Sequence, residues 1–122
     1  MATYSDAFSP LAHIYLEDSW VLALSPSEDT LTFDLDAVLR EAHPEYRGPA
    51  SGEQYDYRRA RLTLRGQVSC VLSGLPPATG PDGEEDLGNI DSWTVDDAGV
   101  SLLAGDWGEA RVSDAQVKFA LT

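Results

Sequence analysis

The stretch Gln54-Tyr55-Asp56-Tyr57-Arg58-Arg59-Ala60-Arg61-Leu62-Thr63-Leu64 decides the fold class. Taken two residues at a time, it places Tyr55, Tyr57, Arg59, Arg61 and Thr63 on one face. Asp56, Arg58, Ala60, Leu62 and Leu64 fall on the other, which grows more apolar toward its end. Alternation of this kind belongs to a strand with one side on a core and the other in water. The same period recurs outward from there. Beyond a turn at Gly66, Val68, Cys70 and Leu72 alternate with polar neighbours over Gln67 to Ser73, and Thr30 to Asp34 turns Leu31 and Phe33 inward. Ala12 to Glu17 and Ser19 to Ser25 form a hairpin about Asp18, with Trp20, Leu22 and Leu24 sharing a face. Three further strands fall at about Asn89–Val95, Val100–Asp106 and Glu109–Leu121, the last with a bulge near Asp114. Asp96-Asp97-Ala98-Gly99 and Trp107-Gly108 supply the tight turns between them.

One segment breaks the pattern. Leu35, Val38, Leu39 and Ala42 are spaced as one helical stripe, which predicts a short helix capped by Asp34 or Asp36 and ended by His43-Pro44. Glu45 to Gly52 is a flexible loop, and residues 74 to 86, with three prolines and three glycines, form a long exposed one. With 122 residues there is room for a single domain. The expected architecture is all-β with one short helix, an antiparallel sandwich or flattened barrel of about eight strands.

The strings Tyr15-Leu16-Glu17-Asp18-Ser19-Trp20-Val21-Leu22, His43-Pro44-Glu45-Tyr46 and Gly105-Asp106-Trp107-Gly108 resemble a family of small bacterial all-β proteins with no assigned activity. The resemblance implies a compact β fold and carries over no catalytic residue.

Charge narrows the function classes. Twenty-one acids against eight bases leave −13, which disfavours nucleic-acid phosphate and anionic membranes as partners. The bases are unevenly spread: residues 1–39 hold none, while residues 40–65 hold six arginines. The single cysteine, Cys70, rules out an internal disulfide framework and fits a cytoplasmic setting. Neither a signal peptide nor an apolar run of membrane-spanning length is read in the sequence.

The chemistry-bearing residues form no catalytic constellation. Asp82-Gly83-Glu84-Glu85-Asp86 lacks the ligand spacing of an EF-hand, and His13 and His43 lack the spacing of a zinc pair. His13 reads as a half-buried structural residue, His43 as a favourable charge at the helix end, and Cys70 as an inert core thiol. No nucleophile elbow, phosphate loop or dinucleotide fingerprint is present, and neither a metal nor a cofactor is expected.

What remains is non-catalytic binding. The first expectation is a basic protein partner held by an acidic surface, in the manner of an immunity or inhibitor protein. Glu17, Asp18, Glu84, Glu85 and Asp86 would supply charge and an exposed Trp107 the aromatic anchor. The alternative uses the face of Tyr55, Tyr57, Arg59 and Arg61 for a small ligand or an anionic group, the mixture of side chains common at binding hot spots. The same arginines also suit cross-strand pairing with acidic neighbours. A hydrolase is the third and weakest reading.

Overall fold

A computed structural model of the chain describes residues 2–73, 78–79 and 85–122. In chain order it contains β1 (Ala2–Thr3), α1 (Tyr4–Ala7), a 3-10 turn at Ser9–Leu11, β2 (Ile14–Pro26), β3 (Thr30–Leu39) and β4 (Asp56–Leu72). Then follow β5 (Ala78–Thr79), β6 (Glu85–Asp86), β7 (Ser92–Val95), β8 (Val100–Gly105) and β9 (Gly108–Leu121). A seven-stranded sheet runs in the order β1-β7-β8-β9-β4-β3-β2 with antiparallel neighbours, and β5 pairs with β6 apart from it. The all-β antiparallel class expected from the alternation is the class found.

The hydrogen-bonded ladder is open, yet its two ends meet. The Tyr4 hydroxyl, beside β1, accepts the Leu16 N–H of β2 at 3.0 Å and bonds the Glu17 carboxylate. Residues 87–91 span the rest of the gap. Leu87 N–H donates to the Val21 carbonyl at 2.9 Å and Val21 N–H to that of Gly88 at 2.8 Å, while Asp91 N–H reaches Ala104 at 2.8 Å. One seven-stranded open sheet is thereby coiled so that hydrogen bonds bridge its edges, rather than closed as a barrel of about eight strands. A buried tyrosine and one irregular segment supply the hydrogen bonds that a further ladder would make.

Leu16, Val21, Leu31, Phe33, Leu62 and Leu64 fill the inside of the coil with no exposed surface. Each such side chain contributes about 1.5–3 kcal/mol relative to exposure. Tyr4 stacks on Trp93 at a centroid distance of 5.8 Å, and Trp107 meets the edge of Phe33 at 5.3 Å.

Four sequence expectations are corrected. The helix over 35–42 is absent: Leu35, Ala37 and Leu39 point into the core at the strand period, and Val38 is buried on the opposite face. Its spacing mimics a helical stripe because both sides of this strand end are covered. Asp34 and Asp36 are therefore strand residues opposite Arg61 and Arg59 rather than helix caps. Second, no hairpin turns at Asp18. β2 is one strand whose pairing jumps from Tyr15↔Val38 to Trp20↔Asp36, a wide bulge over 16–19. Third, β4 runs straight through Gly66, and the one-residue bulge lies opposite in β9, where Asp114 takes φ 51. A side chain at Gly66 would collide with the Ser113 carbonyl, so glycine is needed there for close approach rather than for a turn. The bulge expected near Asp114 is found. Fourth, within the stretch read as a long exposed loop from 74 to 86, residues 78–79 pair with 85–86.

Candidate binding face

The outer face of β2, β3, β4 and β9 is set by register. Directly opposed residues share a side, so Tyr15, Val38 and Tyr57 form one row across three strands, and Trp20, Asp36 and Arg59 form the next. Ala23, Asp34, Arg61 and Ala120 make the third. The face expected for Tyr55, Tyr57, Arg59 and Arg61 thus exists, because β4 keeps its alternation: Ala60 and Leu62 are buried, Tyr57 is half-buried, and Arg59 and Arg61 are exposed. Arg61 Nε bonds Asp34 Oδ1 at 3.0 Å across the strands, so the expected cross-strand charge pairing is present too. Both partners are well exposed, which limits such a pair to below about 1 kcal/mol.

Val38 is only 1 % exposed although it lies outside the main core, since Tyr15 and Tyr57 flank it on the solvent side. Around it the rings interlock. Tyr55 meets Tyr15 at 6.1 Å and Tyr57 at 6.0 Å, both edge-on, and the Arg40 guanidinium lies 4.8 Å over the Tyr15 ring. Edge-to-face rings and a cation over a ring each add about 0.5–1.5 kcal/mol and fix these side chains in place. A cleft of about 300 Å³ opens between Tyr15, Arg40, Tyr46, Gln54 and Tyr55, and a shallower depression of about 380 Å³ lies over Leu22, Ala23, Arg59 and Arg61.

The loop between β3 and β4 is tied to β4 by Asp56, on the side of the strand opposite Tyr55 and Tyr57. Its carboxylate accepts Arg47 N–H at 2.7 Å and Arg58 Nε at 3.0 Å, while Arg58 also holds the Glu45 carbonyl at 2.9 Å. Burial alone would raise the Asp56 pKa, but these donors outweigh it and hold the carboxyl below its ordinary value. The loop read as flexible is therefore anchored at Glu45 and Arg47. His43 caps no helix; its Nδ1 accepts Glu45 N–H at 3.0 Å within this loop.

Of the acidic residues expected to meet a partner, two lie in the β2 bulge. Glu17 and Asp18 project from the β2 bulge, where Glu17 bonds the Tyr4 hydroxyl and Asp18 Oδ2 accepts the Tyr55 hydroxyl at 2.6 Å. The Asp18 bond, with lesser effects of burial and charge, pushes the Tyr55 pKa up to about 12, so the phenol stays a donor across the physiological range. Burial, then the Glu17 bond, drives Tyr4 well above its usual value in the same way. Glu84 lies outside the described residues, and Glu85 and Asp86 form the two-residue strand β6. Trp107 is not exposed: it is 4 % accessible, with Nε1 donating to the Asn89 carbonyl at 3.2 Å. Its turn faces the 87–91 segment, so the indole folds inward onto Phe33 rather than outward.

His13 is exposed at the entry to β2 rather than half-buried, and Cys70 is half-buried against the core with its thiol pKa raised by that burial. Among the described residues, no cluster of three or more His, Cys, Asp or Glu side chains has the arrangement of a metal site. No described helix is long and apolar enough to cross a membrane. The sequence reading missed Tyr15, Trp20 and Arg40. Trp20, 39 % exposed, was assigned to a face with Leu22 and Leu24 because the bulges that reset the parity of β2 leave no mark in the residue pattern.

The outer face offers rigid aromatic surface, guanidinium groups and the carboxylates of Asp18, Asp34, Asp36 and Glu109. Comparison with protein-family models, curated proteins and solved structures gives no significant match.

Proposed function

We propose that this chain is a non-catalytic binding protein that meets a protein partner through the outer face of its coiled sheet. The observation that carries this reading is the solvent-side cluster around Val38. Tyr15, Tyr55 and Tyr57 interlock over it, Arg40 lies on Tyr15, and the exposed Trp20 and Arg59 occupy the adjacent row. Tyrosine, tryptophan and arginine on a rigid support are the side chains that dominate binding energy at interfaces. Their order is set before binding, so little conformational entropy remains to be lost.

The acidic reading is less well supported. Glu17 and Asp18 are occupied as acceptors of tyrosine hydroxyls, and the intended anchor, Trp107, is in the core. The lone cysteine agrees with a cytoplasmic location, which belongs to this proposal.

Affinity capture with wild-type bait and with a Trp20→Ser, Arg61→Glu bait tests the reading, followed by calorimetry with the purified partner. Both residues are exposed, so the variant should melt within a few degrees of wild type. A partner held at least tenfold more weakly by the folded variant supports the outer face. Equal affinity for both baits contradicts it.

A further inference from the structure

Eight bases serve the whole chain, and five of them sit on one surface. By register Arg59, Arg61, Arg65, Lys118 and Arg111 all occupy outer positions of β4 and β9. Among the ladder-paired outer positions of β3, β4 and β9 the acids are Asp34, Asp36 and Glu109, and Asp18 on the β2 bulge adds a fourth beside Tyr55, so five bases meet four acids on a chain of −13. Two of these bases, Arg65 and Lys118, stand opposite uncharged residues. Arg65 lies opposite Thr30 and Gln116, and Lys118 lies opposite Thr63, flanked along the strand direction by Arg61 and Arg65. Neither Arg65 nor Lys118 forms an ion pair with a described residue.

We infer that the outer face binds an extended acidic segment of a partner protein, with an aromatic or aliphatic anchor at its Val38 end. This deepens the outer-face reading and rests on it. Side chains on one face of a strand recur every ~6.7 Å, and an extended peptide presents alternate side chains at the same interval. Carboxylates at every second position therefore match Arg59 and Arg61, and a longer segment reaches Arg65 and Lys118. From Tyr57 to Arg65 the strand advances about 27 Å, which an extended segment of about nine residues covers. The anchor lies against Tyr57 and Tyr15, where the rings are already ordered. Arginine forks bind carboxylates in two-point contacts, and the exposed Arg61–Asp34 pair can exchange its partner at little cost.

Two labelled twelve-residue peptides test the inference by fluorescence anisotropy and by amide chemical-shift mapping. One alternates Glu with Ser and ends in Trp; the other carries Lys in place of every Glu. The Glu peptide should bind at least tenfold more tightly than the Lys peptide and move amides of β3, β4 and β9. Its affinity should fall at least tenfold in Arg65→Glu, Lys118→Glu, and steeply as salt rises from 50 to 500 mM. Should that variant fail to fold, Arg65→Gln, Lys118→Gln carries the same test with a smaller loss. Equal or tighter binding of the Lys peptide on this face overturns the acidic-partner inference while leaving the outer-face reading intact. If neither peptide moves outer-face amides, the acidic-segment inference fails, while the outer-face reading stands or falls on the Trp20→Ser, Arg61→Glu comparison.

Discussion

Ser19 stands in for the backbone at the point where β2 leaves its partner. Its hydroxyl accepts the Val38 N–H at 2.9 Å and donates to the Tyr15 carbonyl at 2.7 Å, bridging the bulge with a side chain 1 % exposed. Three extra residues of β2 are thereby accommodated without leaving either buried group unpaired. The bulge aims Glu17 and Asp18 at Tyr4 and Tyr55, so this one hydroxyl links the closure of the sheet to the ordering of the outer face. Ser19→Ala should cost about 1–3 kcal/mol, the penalty for stranding buried polar groups, in urea denaturation. It should also speed amide exchange at Val38. A change within the ~0.5 kcal/mol scatter ordinary for surface substitutions would mean that the bulge does not depend on Ser19.

Tyr4 joins the two ends of the ladder, so Tyr4→Phe keeps the ring packing on Trp93 and removes only the hydroxyl contacts. The expected loss is again about 1–3 kcal/mol, because the Leu16 N–H is left buried without an acceptor. Exchange should rise selectively in β2 and near residues 2–7. A uniform change across all strands would contradict a local closure.

Asp56 and Asp91 are expected to respond to pH with opposite sign. Asp56 has a lowered pKa in the folded protein. Its contribution is full above the unfolded carboxylate value of about 3.9 and is lost as pH falls through the lower folded value. Asp56→Asn should therefore be destabilised at pH 7 and converge on wild type at strongly acid pH. Asp91 is raised by partial burial and by the neighbouring Asp106. Asp91→Asn should melt slightly above wild type at pH 7, and the gap should close as pH drops below about 4. Thermal melts of the three proteins from about pH 2, well below that reference value, up to pH 7 check both signs.

Trp107→Ala removes a buried indole from the edge of Phe33 and should cost about 3–5 kcal/mol by chemical denaturation. A loss near zero would return Trp107 to the surface and revive it as a contact residue.

The sequence made most of the strand pattern legible where alternation is undisturbed. β4 could be read from Tyr57 through Leu64, and β7 to β9 came within a few residues of their observed limits because Gly99 and Gly108 mark their turns. Reading failed where pairing between strands, rather than residue order, sets the outcome. Val38 looked helical because its second burial comes from Tyr15 and Tyr57, on other strands. The β2 bulge depends on a Ser19 hydroxyl meeting a distant amide, and Gly66 depends on a bulge in β9. The candidate face divides the same way. Its β4 residues follow from period two, whereas Tyr15, Trp20 and Lys118 join them only through register, and Arg40 only through its place over the Tyr15 ring.

The most direct test of the outer face as the contact surface is chemical-shift mapping of the labelled protein with its purified partner. The expected result is a contiguous set of shifted or broadened amides at Tyr15, Trp20, Tyr57, Arg59 and Arg61. Changes confined to 96–99 and 87–91, with those five unmoved, would contradict it.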